Sequence, residues 1–251
     1  MRILRRLLLG FVLLAAVAIL AGVWFYRATK SVPEFYTMAL EIDEVEADQA
    51  GDELEQQVLE LHHELEQGKR WELVVTAEQV NGWLATDLEE KFPHLLPPEV
   101  QQPRVEFQNG ETHIACRLKT PEFDAVLSMA LEPYLTDEPN QVAIRVVYVR
   151  AGSVPVPLSG LLDQVSAAAM EAQVLLRWSQ SDGDPVAMIQ VPTDRPELEP
   201  GILIESISVE DGKFYMSGKA DDSMDVTKYR ERALEFAALA THFEATMNRQ
   251  P

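Results

Sequence analysis

The side chains best suited to catalysis or metal binding are few in this chain and lie far apart. There are five histidines and a single cysteine, Cys116. His62 and His63 are neighbours in an acidic segment, and neighbours on an α-helix point about 100° apart, so they cannot chelate one ion together. The aspartates between 221 and 225 resemble part of a calcium loop, but the glycine and the final glutamate are missing. The sequence therefore favours no metal site and no cofactor.

No catalytic motif accompanies these residues. The chain has no G-x-S-x-G elbow, no phosphate-binding loop, no G-x-G-x-x-G, no H-E-x-x-H and no C-x-x-C. His94, His113 and His242 stand in different predicted elements, without partners that would activate a nucleophile. Cys116 cannot form an internal disulfide, and it alternates with apolar residues, so we expect a small core residue. We predict a protein that is not an enzyme; an unrecognised hydrolase would need a titratable cluster that the sequence does not show.

The charge distribution divides the chain. Residues 1–30 carry five basic residues and no acidic one, whereas residues 31–251 carry all 41 acidic residues against 16 basic ones, about −25. Such a surface repels phosphate backbones, which excludes nucleic acid as a partner. The excess of acidic residues is explained by solubility or, alternatively, by docking of a basic partner protein. Contact with a bilayer should therefore go through residues 1–30.

The twenty residues 7–26 contain no charge. As a helix rising ~1.5 Å per residue they would span ~30 Å, the thickness of a hydrocarbon core. The basic residues before the span predict a cytoplasmic N-terminus by the positive-inside bias. We therefore expect a cytoplasmic stub and transmembrane anchor over residues 1–30, in the plasma (inner) membrane, with the rest of the chain extracytoplasmic (periplasmic). The residues expected to contact lipid include Leu7, Phe11, Leu14, Leu20, Trp24, Phe25 and Tyr26.

A cleaved signal peptide is the alternative interpretation of this segment. Ala16-Val17-Ala18 resembles a small-x-small cleavage site. The apolar run continues for eight residues past Ala18, however, so cleavage would leave an apolar stub beginning at Ile19. The uncleaved anchor is therefore favoured.

Residues 31–70 form the second region, an acidic helical segment. Eleven acidic and no Lys or Arg residues lie between 41 and 67, while Leu54, Val58, Leu61 and Leu65 recur at helical spacing. The pattern predicts an amphipathic helix packed on the following domain and ending near Gly68. A coiled-coil dimer is the alternative, but it needs more heptads than are present.

Residues 71–251 are predicted to form one α+β domain. Thr76 and Gln79 have the spacing of a capping box, and the helix they start should run to about Lys91. Four long strands should follow, with alternating apolar residues at 105–107, 114–118, 123–131 and 142–148. The Asn109–Gly110 pair is a strong hairpin signal. Together these strands predict an antiparallel meander.

The second half of this domain is expected to provide the helix that packs against that sheet. A long apolar helix is predicted over residues 159–176 and should lie along the sheet. Shorter strands are predicted at 186–191, 202–209 and 214–217, with a β-bulge at Glu205–Ser206. A final amphipathic helix is predicted at 226–248. The fold class is therefore α+β, a meander sheet packed on a long apolar helix with flanking helices.

Long alternating strands and an apolar helix can enclose an elongated apolar groove. The alternative is an ordinary filled core. The residues we expect to line the groove are Leu127, Met129, Ile144, Val146, Leu161, Leu162, Val165 and Met170.

The order of these parts resembles that of YpmS-type bacterial single-pass membrane proteins. The shared features are T-x-x-Q-x-N-x-x-L at Thr76, Gln79, Asn81 and Leu84, and a Gly-x-x-Pro-x-Pro entry into the apolar helix at residues 152–157. The plan is also similar to that of tubular lipid-binding domains, and the resemblance covers most of residues 70–220. It implies lipid binding by analogy of fold, and it transfers no functional residue.

Two functions of different classes follow as expectations. The first is a membrane-anchored extracytoplasmic domain that binds a lipid-like apolar ligand or assists envelope assembly without catalysis. The second is a structural or scaffolding protein that recruits a protein partner through its acidic helix.

Overall fold

The computed structural model describes residues 27–67, 70–93, 95–121, 123–172, 174–191 and 201–221. The predicted anchor at 7–26 and the predicted last helix at 226–248 lie outside these residues, as do His94, His242 and Gly68. Among the described residues, no helix combines the length and the apolar character needed to cross a bilayer.

The described chain is an α+β structure with antiparallel sheets, as predicted. Its helices are α1 (Glu34–Leu40), α2 (Glu44–Glu66), α3 (Ala77–Lys91) and α4 (Ser159–Glu171). Its strands are β1 (Arg70–Thr76), β2 (Val100–Gln108), β3 (Glu111–Lys119), β4 (Asp124–Leu135), β5 (Gln141–Ala151), β6 (Val154–Pro155), β7 (Leu175–Ser181), β8 (Asp184–Gln190), β9 (Gly201–Glu210) and β10 (Lys213–Asp221).

The strands form a large and a small sheet. The large sheet has the order β2-β3-β4-β5-β8-β7, with the short β6 paired to β5, and the small sheet has the order β1-β10-β9. The predicted meander is therefore confirmed as β2 to β5. Asn109 and Gly110 connect β2 to β3 with φ of 55° and 81°, the left-handed pair that a tight two-residue hairpin needs.

The two faces of the large sheet pack against different elements. Val105 and Phe107 lie on the inner face and pack with Val209 of the small sheet and with apolar residues of α3. Ala115 and Val126 lie on the outer face, where Tyr36 of α1 covers them. Both faces of the meander are therefore used, which explains its apolar residues on both sides.

Helix α3 forms as the sequence predicts. The Thr76 hydroxyl accepts from the Gln79 N–H at 3.1 Å, and the Thr76 N–H donates to Gln79 Oε1 at 3.0 Å. These bonds satisfy two donors that a helix start otherwise leaves unpaired. The helix ends at Lys91, as expected.

Helix α2 packs most closely on α3 through small residues, while Leu54, Leu61 and Leu65 of the predicted apolar face are half-buried. Ala47, Ala50 and Gly51 are its buried residues, whereas Val58 is 50 % exposed. A Cβ built on Gly82 of α3 would lie 2.4 Å from the Ala47 carbonyl oxygen, so the two backbones touch here. The predicted stripe beginning at Leu54 lies past this contact, towards the C-terminal half of α2.

The long apolar helix predicted over 159–176 is wrong in its length and its packing. Helix α4 ends at Glu171 and has no buried residue. Leu175 and Leu176 instead begin β7, which pairs with β8 across a turn at Asp182–Gly183. The apolar spacing of these residues fits helix and strand equally, and the pairing with β8 decides between them.

The bulge predicted at Glu205–Ser206 is confirmed. Ser217 pairs with Ser206 and Gly218 pairs with Ile204, which leaves Glu205 without an opposite residue. A Cβ on Gly218 would lie 2.2 Å from the Leu203 carbonyl oxygen and 2.4 Å from the Trp71 ring, so only glycine fits. Trp71 belongs to β1, a strand that the sequence pattern did not reveal.

Candidate functional site

An apolar cleft of about 400 Å³ lies between the inner face of the large sheet and the small sheet. Thr112 is the one polar residue among the described residues that line it. The lining residues from the large sheet and the segment after it are Thr112, Leu131, Pro133, Val142, Ile144, Ile189 and Val191, and those from the small sheet are Ile204, Ile207, Phe214 and Met216.

Strand register gathers these side chains on facing surfaces. In the large sheet Pro133 pairs with Ile144, and Val142 pairs with Ile189, so these side chains share a face. In the small sheet the bulge at Glu205 decides which side chains of β9 line the cleft. Ile204 and Ile207 are three residues apart and would point to opposite faces of a regular strand, but the extra residue brings both to the cleft.

One end of the cleft is closed by Asn140, in the turn between β4 and β5. Its side-chain Oδ1 accepts from the Ile204 N–H at 2.8 Å, and its Nδ2 donates to the Ile202 carbonyl oxygen. Its own carbonyl oxygen accepts from the Val191 N–H at 2.9 Å. Strand β9 is the edge of the small sheet, so Asn140 supplies the partner that a neighbouring strand would otherwise give.

The other end is closed by two turns. The Gly212 N–H donates to the Phe107 carbonyl oxygen at 2.7 Å, and the Asn109 N–H donates to Asp211 Oδ1 at 3.3 Å. The two sheets are thus joined at both ends of the cleft. Between these attachments ten of the eleven described lining residues are apolar, which gives a surface without charge that suits the hydrocarbon part of a ligand.

The structure places the predicted lining residues of β4 and β5 at different positions. Ile144 lines the cleft, and Val146 is buried beside it, paired with Leu131. Met129 pairs with Ile114 and Val149, and Leu127 pairs with Cys116 and Ala151, both further along the same face.

The predicted lining residues of α4 are not part of the cleft wall that the structure describes. Leu161 and Leu162 are half-buried, whereas Val165 and Met170 are exposed. Trp178 Nε1 donates to Ser166 Oγ at 2.9 Å, which holds α4 against β7 at the edge of the large sheet.

The wall formed by β9 and β10 is the part that sequence reasoning missed. Ile204, Ile207 and Phe214 were recognised as strand residues, but nothing local shows that their strands face β5 and β8. The bulge was the available signal, because it changes which face the apolar residues occupy.

A second cavity, of about 490 Å³, lies between the end of α3 and the proline-rich loop before β2. Its wall includes Glu89, Gln101, Gln102 and Arg104 among prolines and leucines. Arg104 is buried, and its Nε donates to the Ala39 carbonyl oxygen at 3.1 Å, which caps the end of α1. Burial lowers the pKa of this guanidinium. Arg104 therefore already has a structural role, and the apolar cleft is the better candidate site.

One group of titratable residues that approach one another lies on the outer face of the large sheet, away from the cleft. His113 Nδ1 and Tyr148 Oη are 3.2 Å apart, and His113 Nε2 lies 3.5 Å from Glu111. Burial raises the pKa of Tyr148 and of Glu106. Cys116 is half-buried, and burial raises the pKa of its thiol, which disfavours the reactive thiolate. The described residues contain no group of three His, Cys, Asp or Glu placed to hold a metal ion.

Comparison with known proteins adds no relative. No protein family matches the chain, and no curated protein or solved structure matches it either.

Proposed function

We propose that this protein is a membrane-anchored extracytoplasmic domain that binds a lipid-like apolar ligand in the cleft between its two sheets, without catalysis. Residues 1–30 hold the domain at the plasma (inner) membrane, and the domain assists the envelope by carrying or sensing that ligand.

The observation that carries the proposal is the cleft itself. Its volume of about 400 Å³ falls in the range of roughly 300–1,000 Å³ typical of small-molecule sites. Ten of the eleven lining residues are apolar. Burial of hydrocarbon in such a site is favourable by roughly 25 cal/mol per Å² of apolar surface removed from water.

The chain that follows the predicted anchor supports a position close to lipid. The Ser153 N–H donates to the Ala28 carbonyl oxygen at 2.8 Å, and Lys30 Nζ donates to the Asp124 carbonyl oxygen. Ala28 is two residues past the uncharged stretch that ends at Tyr26. These contacts hold the domain beside the bilayer that we propose as the source of its apolar ligand.

Photo-crosslinking tests this function on the full chain. The chain is reconstituted in phosphatidylcholine nanodiscs that contain a long-chain fatty acid with a diazirine in its tail. After irradiation, the labelled peptides are identified by mass spectrometry. We expect labels on β5, β8, β9 and β10 in addition to residues 7–26. Labels confined to residues 1–30 would refute ligand binding in the cleft.

A matched pair of variants makes the test specific. Ile144→Trp adds an indole inside the cleft and should remove the labels on the four strands. Val58→Trp adds the same side chain on an exposed position of α2 and should leave them unchanged. Circular dichroism establishes that both variants fold, and labels on 7–26 serve as the internal reference.

The scaffolding function is the second candidate, because α2 exposes apolar residues. Val45, Val58 and Leu59 are exposed among its carboxylates, although α2 is otherwise packed on α3. If the chain is a scaffold, the double variant Val58→Ser with Leu59→Ser should lose the partner proteins that are cross-linked to the chain in membranes. The unmodified chain should then carry no fatty-acid label in the cleft.

A further inference from the structure

We propose that one end of the large sheet rests on the bilayer and inserts Phe92, Leu95 and Phe123 into the lipid interface. This inference rests on the proposed anchoring of the chain by residues 7–26. It goes beyond that anchoring because it assigns the domain a second, non-covalent membrane contact and a fixed orientation.

The exit from the predicted anchor is tied to a definite end of the sheet. The Ala28 carbonyl oxygen accepts from Ser153, in the turn between β5 and β6, and Lys30 reaches the carbonyl oxygen of Asp124 at the start of β4. A Cβ on Gly152 would lie 2.3 Å from the Ala28 carbonyl oxygen, so the two backbones are in direct contact. The end of the sheet formed by the start of β4 and the end of β5 therefore lies beside the anchor exit.

Two further loops reach the same end. Thr120–Phe123 connects β3 to β4, so Phe123 directly precedes Asp124. The loop that leaves α3 enters β2 beside the end of β3, where the Lys119 N–H donates to the Glu99 carbonyl oxygen at 2.8 Å. The pairing of Val100 with Leu118 gives the same placement.

These two loops carry exposed large apolar side chains. Phe92 is 50 % exposed, Leu95 is 63 % exposed and Phe123 is 38 % exposed. Exposed apolar residues that come from separate loops and share one end of a domain are typical of a contact with lipid or protein. Because Ala28 and Lys30 lie at this same end and directly follow the predicted anchor in sequence, the partner to which we commit is the bilayer.

The opposite end of the sheet has a different character. Its turns contain Asn109–Gly110 and Asp137–Glu138, and the Asp211–Gly212 turn of the small sheet is bonded to Asn109 there. All three turns are polar or acidic. Tyr134, near the far end of β4, is 38 % exposed, the same fraction as Phe123. Phe123 directly precedes β4, and eleven positions, about 36 Å at the usual rise of a strand, separate it from Tyr134. They make a matched pair for measuring which end touches lipid.

The test uses the full chain with Cys116→Ala as background and a single new cysteine, Phe123→Cys or Tyr134→Cys. Each is labelled with an environment-sensitive fluorophore and reconstituted in phosphatidylcholine nanodiscs, where both membrane surfaces are accessible. We expect blue-shifted emission at position 123, quenching by nitroxide-bearing lipid and protection from iodide. At position 134 we expect the emission of a water-exposed dye and quenching by iodide alone. Leu95→Cys repeats the test if Phe123→Cys fails to fold.

The possible outcomes are distinguishable. If the labelled chain resists extraction by alkaline carbonate but the dyes at 123 and 95 are quenched by iodide as strongly as the dye at 134, the anchor holds and this inference is overturned. If carbonate releases the chain, the proposed anchoring itself fails and this inference fails with it.

Discussion

The side chain of Asn140 bonds the backbone of Ile204 as a neighbouring β-strand would, with its Oδ1 2.8 Å from the Ile204 nitrogen. Asn140 is only 2 % exposed and has a φ of 56°, a conformation that Asn tolerates better than most residues. One residue therefore turns the chain between β4 and β5 and at the same time holds the edge of the small sheet. The cleft exists because the sheets are joined at such points and not along their whole length.

Replacement of Asn140 by alanine should destabilise the chain strongly. The change leaves the Ile204 N–H and the Ile202 carbonyl oxygen unpaired, at a cost of about 1–3 kcal/mol for each buried group. Asn140→Gly keeps the positive φ available and so isolates the hydrogen bonds from the backbone strain. We expect both variants to lower the free energy of unfolding in urea, and alanine to lower it more. A loss in Asn140→Gly below about 0.5 kcal/mol would contradict this role.

Asn81 on α3 does for β2 what Asn140 does for β9. Its Nδ2 donates to the Val105 carbonyl oxygen at 2.8 Å, and its Oδ1 accepts from the Val105 N–H at 2.7 Å. Strand β2 is the edge of the large sheet, so these bonds pair an otherwise open backbone. Asn81→Ala should cost about 2 kcal/mol or more in urea unfolding. Glu89→Ala, on the exposed face of the same helix, should change the free energy of unfolding by less than about 0.5 kcal/mol.

Two glycine-to-alanine changes in helices should change the stability of the chain in opposite directions. Gly82→Ala would place a methyl group 2.4 Å from the Ala47 carbonyl oxygen, so α2 and α3 must separate, at a cost of about 2 kcal/mol. Gly160→Ala on α4 meets nothing within 4 Å and should stabilise the chain by about 0.5 kcal/mol through helix propensity. Thermal unfolding of the two variants tests the contact between α2 and Gly82. Equal shifts in their unfolding temperatures would show that α2 does not lie against Gly82.

The half-buried carboxyl of Glu106 should make stability depend on pH. Burial raises the pKa of Glu106, an effect that His113 opposes and Glu34 reinforces. A carboxyl whose pKa is higher in the folded chain favours folding at low pH, and this contribution is lost as pH rises through the folded pKa. Glu106→Gln should therefore raise the free energy of unfolding at pH 7 and leave it unchanged below about pH 4, where the unfolded carboxyl is also protonated. An equal effect at both pH values would indicate a packing change instead.

Local signals in the sequence predict a large part of this fold. The capping box at Thr76, the end of α3 at Lys91 and the Asn109–Gly110 hairpin are all found where their residues predict them. Each depends on bonds between residues close in sequence. The bulge at Glu205 is of the same kind, since a phase change in the apolar pattern is visible within one strand.

The features that escaped prediction depend on distant pairing. Strand β1 is placed by β10, whose Gly218 pairs with Trp71, and β7 is placed by β8. The same is true of the site, because Ile144 could be proposed from its own strand but its facing residues on β9 and β10 could not. The sequence showed Asn81 only as part of the T-x-x-Q-x-N-x-x-L motif, because its partner Val105 is 24 positions away.

Ligand binding between the two sheets is tested most directly by native mass spectrometry of the full chain released from nanodiscs made of native lipid. We expect the unmodified chain to carry one lipid-sized adduct that survives activation. We expect Ile207→Trp, which fills the cleft from the small sheet, to lose the adduct and Val58→Trp to retain it. An unmodified chain without any adduct, or an adduct equally retained by Ile207→Trp, would contradict ligand binding between the two sheets.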